Sequence, residues 1–81
     1  MMDKKEICEA LEEIFKENFE QEIDIEKAGL GADLREDLGM SSIGLLYMAM
    51  AIEEKFGVKF SNDDFMKMKT IGDVVGKISE K

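Results

Sequence analysis

Histidine and proline are absent from this chain, and cysteine occurs once, at Cys8. Without histidine and with a single thiol, the sequence lacks the usual zinc ligand sets and the common nucleophile and base pairs of covalent catalysis. One cysteine permits no intramolecular disulfide, which suits a reducing compartment, and Cys8 reads as a small hydrophobic side chain rather than a reactive thiol. Long apolar runs are missing too. The first fifteen residues mix charged and apolar side chains at helical spacing, so neither a signal peptide nor a membrane span is expected, and the expected location is cytoplasmic. Positive charge is scarce: 11 basic side chains face 19 acidic ones, a net charge of -8. That field repels phosphate backbones and anionic lipid, which argues against nucleic acid as a partner. It favours brief encounters with proteins that present Lys and Arg patches.

What is present is enough for one modest core. At 81 residues the chain reads as a single domain, 1–81, too small for a deep catalytic cleft and by default a monomer. No internal repeat or low-complexity linker divides it. Ile7, Leu11, Ile14, Phe15 and Asn18 fall on one stripe of a first helix, with Glu6, Glu9, Glu12, Glu13 and Lys16 on the other faces. From about residue 19 to 41 the period breaks into a long loop in which Leu30, Leu34 and Leu38 are expected to pin the chain across the helices. A second helix is expected from about Ser42 to Phe56, ended by Gly57, with Leu45, Leu46, Ala49, Ile52 and Phe56 on its buried side. Ser61, Asn62 or Asp63 can cap a short third helix holding Phe65 and Met68. Thr70 and Asp73 form a capping box for a last helix carrying Ile71, Val74, Val75 and Ile78. The expected fold is all-α: a small four-helix bundle, three longer helices and one short, with a long first loop.

The stretch Asp37-Leu38-Gly39-Met40-Ser41-Ser42-Ile43-Gly44 resembles the signature of the acyl carrier protein family, and the resemblance continues through Glu53-Glu54-Lys55-Phe56-Gly57-Val58, Asn62-Asp63-Asp64 and Thr70-Ile71-Gly72-Asp73-Val74-Val75. These four segments cover about half the chain in the family's order. The resemblance implies a carrier rather than an enzyme. Ser42 matches the serine to which a phosphopantetheinyl transferase attaches 4'-phosphopantetheine from coenzyme A, making the chain a phosphoprotein. The arm's thiol then holds acyl intermediates as thioesters for fatty-acid or specialised lipid or polyketide-type biosynthesis, and enzymes such as ketosynthases and acyltransferases are the implied partners. A phosphodiester at Ser42 would lie at a helix N-terminus, where the dipole and free N–H groups favour negative charge. An ordinary N-cap role for Ser42, which Ser41 could share, is the bland alternative. An amino-acid or peptidyl carrier, or an unmodified acidic adaptor, are the alternatives to an acyl carrier.

The sequence departs from the family pattern where contact with partners is implied. The family has an acid before the modified serine, where this chain has Ser41, and acids on the exposed face just after it, where this chain has Gly44 and Tyr47. The expected partner interface therefore comprises Met40, Ser41, Ile43, Gly44, Tyr47, Met50, Glu53 and Glu54 and is more apolar than usual, favouring a specialised pathway; the alternative is that some of these side chains fold under the long loop. Leu46, Ala49, Ile52, Phe65, Met68 and Val74 match candidate walls of the family's acyl pocket. With Met48, Met50 and Met66 nearby, thioethers give that region an adaptable lining. Asp33, Asp37 and the acids from Asp63 onward lack the calcium-loop pattern, and no metal is expected.

Overall fold

Asp3 starts the first helix by a reciprocal exchange: its carboxylate accepts from the Glu6 N–H at 2.8 Å, and Glu6 accepts from the Asp3 N–H at 3.3 Å. The helix that follows, α1 (Lys4–Phe19), buries Ile7, Ala10, Leu11, Ile14 and Phe15 along one stripe. These features belong to a computed structural model that describes residues 3–79. α1 ends at Glu20, whose φ of 52° is the left-handed conformation that closes a helix.

The long connection carries a turn of helix that periodicity could not reveal, because four residues have no period to read. This α2 (Ile25–Ala28) is capped by Asp24, and Glu12 of α1 accepts from the Ile25 N–H at 2.8 Å, which fastens it beside α1. Farther on, the loop runs antiparallel to a distant segment. Leu34 N–H donates to the Lys69 carbonyl at 2.8 Å, Ile71 N–H to Ala32 at 3.1 Å and Gly72 N–H to Leu30 at 2.7 Å. The approach at Gly72 is close: a Cβ there would meet the Leu30 carbonyl oxygen at 3.0 Å. Leu34 lies in the core, and Leu30 and Leu38 pack half-buried against it, as expected of the pinning leucines.

The second long helix, α3 (Ser42–Phe56), stops at Gly57 with φ 72°, a conformation that costs little only for glycine. Ser61 opens the short α4 (Asn62–Lys67) in a capping box with Asp64. Thr70 and Asp73 form the expected box ahead of α5 (Ile71–Ser79): Thr70 Oγ1 accepts from Asp73 N–H at 3.1 Å and the Asp73 carboxylate from Thr70 N–H at 3.0 Å. α1 packs against α3 and α5, and the buried side chains form one cluster with no buried polar residue among those described. The all-α expectation of three longer helices and a short one holds, with α2 added inside the loop. None of the described helices is long and apolar enough to cross a membrane.

Asp64 joins α4 to α5. Its carboxylate accepts from the Ser61 N–H at 3.0 Å and reaches Lys77 Nζ at 2.9 Å. The Ser61 backbone bond first, then the Lys77 bond, hold its acid at about 2. A folded-state value below the unfolded one means the stabilisation is complete above about pH 4 and is lost as pH falls towards 2. Urea midpoints of the wild type and Asp64→Asn at pH 6 and pH 2.5 should therefore differ at the higher pH and converge at the lower. A constant gap would contradict this role.

Candidate functional site

Everything around the serine pair follows from how the loop is delivered to the start of α3. Asp33 Oδ1 accepts from the N–H groups of Arg35 and Glu36, both at 2.8 Å, and Asp37 accepts from Asp33 N–H at 2.7 Å. These acids tie a turn together. The Gln21 side-chain amide adds a second tie, its Nε2 donating to the Leu38 carbonyl at 3.2 Å. Gly39, at φ 70°, redirects the chain, and Met40 N–H donates back to the Leu34 carbonyl at 3.0 Å.

Met40 is thereby a correction to the expected interface. It is buried in the core because the turn folds it inward, with its Cε 3.8 Å from where a Gly44 Cβ would lie. Gly44 is itself half-buried, and that same Cβ would stand 3.3 Å from Ser41 Oγ and 3.9 Å from Phe19 Cε1. Only the Ser41 oxygen would be crowded by that carbon; Met40 and Phe19 would lie at ordinary contact distance.

The two serines have different jobs. Ser41, extended at φ -83° and ψ 172°, is the N-cap of α3, its Oγ accepting from Gly44 N–H at 3.0 Å. Ser42 is the first helical residue. It is exposed, and its hydroxyl makes no hydrogen bond with any described residue. Its own N–H and that of Ile43 are among the helix-start donors without an intrahelical acceptor. No acid stands in the first turn of α3. An anion borne on Ser42 Oγ would thus meet the positive end of the helix dipole and free amides, without displacing the cap. The N-cap alternative belongs to Ser41, and Ser42 is left available.

Beyond Ser42 the exposed face of α3 is apolar: Ile43 is 66% exposed, Leu46 50%, Tyr47 59% and Met50 55%. They recur at i, i+3, i+4 and i+7, a single stripe. Leu46 is the second correction. The buried line of α3 is Leu45, Met48, Ala49, Ile52 and Phe56, and one residue past Leu45 is a rotation of about 100° towards solvent. Leu46 therefore cannot wall a pocket between the helices and instead joins the outer stripe. Glu53 is the third. It is half-buried and accepts from Phe60 N–H at 2.8 Å, so it fastens the link after α3 instead of facing outward. Ser41, Ile43, Tyr47, Met50 and Glu54 are exposed.

Of the remaining pocket candidates, Ala49, Ile52, Met68 and Val74 are core residues and Phe65 is half-buried. Phe65 and Met68 also line a groove of about 420 Å³ with Leu45, Met66, Asp33 and Lys69, between the loop, α3 and α4. Sequence reasoning missed Leu45, Asp33 and Lys69 there because the loop's contact with the segment before α5 is long-range. Met48 and Met68 are packed inside, whereas Met50 and Met66 are exposed. Cys8 packs half-buried against the core, and burial first, then Glu12, push its thiol above the ordinary range. No three of the described His, Cys, Asp and Glu side chains gather as metal ligands would.

The family model described as a phosphopantetheine attachment site matches residues 5–78. The acyl carrier protein of Saccharopolyspora erythraea is 36% identical over 74 residues, 91% of this chain and 76% of that one. That of Petrotoga mobilis is 32% identical over 80 residues, 99% of this chain and 92% of that one. A crystal structure of an acyl carrier protein from Thermotoga maritima superposes with a TM-score of 0.85 at 21% identity, covering 99% of this chain and 91% of that one.

Separate jobs for the serines predict separate losses. Ser41→Ala should lower the unfolding free energy by about 1 kcal/mol, the usual worth of an N-cap, and Ser42→Ala by less than about 0.5 kcal/mol. Urea unfolding monitored by helical circular dichroism would read both, and equal losses would contradict the assignment.

Proposed function

The chain belongs to the acyl carrier protein family, and from that premise we propose that Ser42 is the attachment point of its 4'-phosphopantetheine and that the chain carries acyl groups between enzymes. The observation that carries this reading is the Ser42 hydroxyl, exposed and without a hydrogen bond to any described residue, at the N-terminus of a helix already capped by its neighbour. The residues present fit the group. When attached, the arm supplies the terminal thiol on which an acyl group is held as a thioester.

The protein's own contributions are binding and orientation. Ser41 holds the first turn of α3 together whether or not Ser42 is substituted, and the amides of Ser42 and Ile43 offset the phosphodiester charge. The Asp33 and Asp37 turn, with Leu34 beneath it, fixes where the modified residue emerges. The apolar stripe from Ile43 to Met50 lies beside it, where a partner bringing a catalytic pocket to the arm would rest. Tethering raises the effective concentration of the cargo at that partner without tight binding.

In this reading the chain is one domain, a monomer and a cytoplasmic carrier without catalysis of its own. Its partners are a phosphopantetheinyl transferase and acyl-loading and acyl-processing enzymes. The apolar stripe, in place of a uniformly acidic face, supports a specialised pathway over bulk fatty-acid synthesis. The groove beside Phe65 and Met68 is the candidate resting place for an acyl chain.

Intact mass after incubation with coenzyme A and a broad-specificity phosphopantetheinyl transferase tests the proposal. The wild type and Ser41→Ala should each gain one phosphopantetheine and Ser42→Ala none. No gain by the wild type, with a known carrier modified alongside, would overturn the carrier reading.

A further inference from the structure

The groove between the loop, α3 and α4 carries two cations, Arg35 and Lys69, in a chain whose net charge is -8. Arg35 is the only arginine of the sequence. Both side chains are exposed, and neither makes a hydrogen bond or ion pair with any described residue, whereas Lys67 and Lys77 pair with Asp63 at 3.0 Å and Asp64 at 2.9 Å. We propose that Arg35 and Lys69 receive the far end of the cargo: the groove selects an acyl chain that terminates in a carboxylate, a dicarboxylic half-thioester with several methylenes between its ends, over a plain alkyl chain. The inference rests on the carrier reading of Ser42 and names the class of its cargo.

Backbone pairing brings the two cations together from distant parts of the chain. Leu34 N–H donates to the Lys69 carbonyl at 2.8 Å, and Arg35 follows Leu34 directly. The Arg35 N–H is held by Asp33 Oδ1 at 2.8 Å and the Lys69 N–H by the Asp73 carboxylate at 2.9 Å. Both side chains therefore leave from a fixed backbone with their charged ends free. The nearby acids are mostly engaged. Asp33 accepts from the Arg35 and Glu36 N–H groups, and Asp73 from those of Lys69 and Thr70. Of the charged residues lining the groove, Glu36 alone is an acid whose carboxylate meets no described donor. Two free cations against one free acid leave a local excess of unpartnered positive charge. A guanidinium matches a carboxylate with two parallel hydrogen bonds, and an ammonium adds a mobile point charge beside it.

The floor sets the rest of the cargo. Leu45 and Met68 are buried and Phe65 is half-buried, so the surface beneath the cations is apolar, and the volume of about 420 Å³ is that of a small-ligand pocket. Leu45 is one turn of α3 from Ser42, about 4.5 Å along the axis. An arm on Ser42 thus starts beside the groove and can fold back into it. Methylenes would cover the floor while the terminal carboxylate reaches Arg35 and Lys69. A malonyl group, with a single methylene, would leave the floor bare. A phosphate at the chain end would bring a second negative charge against Asp33, Glu36 and the field of the whole chain.

The test loads the isotope-labelled full-length chain, with a broad-specificity transferase, from four coenzyme A thioesters of one length: adipoyl, its neutral monoamide, hexanoyl and 6-aminohexanoyl. The adipoyl form should shift the Arg35, Phe65, Met66 and Lys69 amides relative to the monoamide form. A ¹³C label on the terminal carboxyl reads the contact from the cargo's side. Cations favour the ionised form, so its acid dissociation constant should be about three- to fivefold larger on the wild type than on the chain carrying both Arg35→Gln and Lys69→Gln, the range of an exposed ion pair. Equal dissociation constants, or shifts as large with hexanoyl or aminohexanoyl cargo, would overturn the proposal. Loading itself separates this inference from the reading beneath it. A chain that accepts all four cargoes without these differences remains a carrier whose groove does not select, and a chain that accepts none fails as a carrier and takes the groove proposal with it.

Discussion

The hydrogen bond from the Gly44 N–H to Ser41 Oγ, 3.0 Å long, determines what the neighbouring residue is free to do. A helix start must satisfy several backbone donors, and serine is among the side chains that do so best. Were Ser42 the cap, a substituent on its oxygen would compete with the helix for the same lone pairs. With Ser41 in that position, α3 is capped without help from Ser42, whose Oγ bonds to none of the described residues. The cap in turn depends on the loop. Gly39 redirects the chain, Met40 is drawn inward by its bond to Leu34, and the Asp33 turn holds Leu34 against the segment that opens α5.

α3 is apolar on both sides, and the two sides differ in use. One line of residues, Leu45 to Phe56, is packed into the core with α1. The other, Ile43 to Met50, is more than half in water, where its exposed area favours contact with a second surface. The acids that give the chain its charge mostly lie elsewhere or are committed within the fold. Asp33, Asp37, Asp64 and Asp73 accept backbone hydrogen bonds, and Asp73 is held below the usual carboxylate range by the N–H groups of Lys69 and Thr70. Glu54, one turn beyond Met50, is exposed and pairs with none of the described residues.

Local features could be read from the sequence, and long-range ones could not. The extent of α3, the Gly57 stop and the Thr70 and Asp73 box each depend on residues within a turn of one another and are legible, while Ser61 stands as one of three candidate caps for α4. α2 has too few residues to show a period, and the pairing of the loop with residues 69–72 joins segments more than thirty positions apart. The same limit produced the misplacements. Because α3 is apolar nearly all round, its rotational phase cannot be read from hydrophobicity, and Leu46 reads as inside beside Leu45. Met40 and Glu53 read as outward because their inward partners, Leu34 and Phe60, lie beyond the helix. The serine pair was ambiguous for a related reason: neither Gly44 nor Leu45, three residues after Ser41 and Ser42, can complete a capping box, so only the folded chain assigns the cap.

The central claim, that capping and attachment belong to different serines, is tested most directly by amide nuclear magnetic resonance of residues 42–44 before and after loading with phosphopantetheine. The account predicts that the Ser42 and Ile43 amides shift as the phosphodiester arrives beside them, while the Gly44 amide, still bound to Ser41 Oγ, keeps its position and its protection from exchange. A Gly44 amide that shifts and loses protection on loading would show that the modified serine had been the cap, contradicting the account.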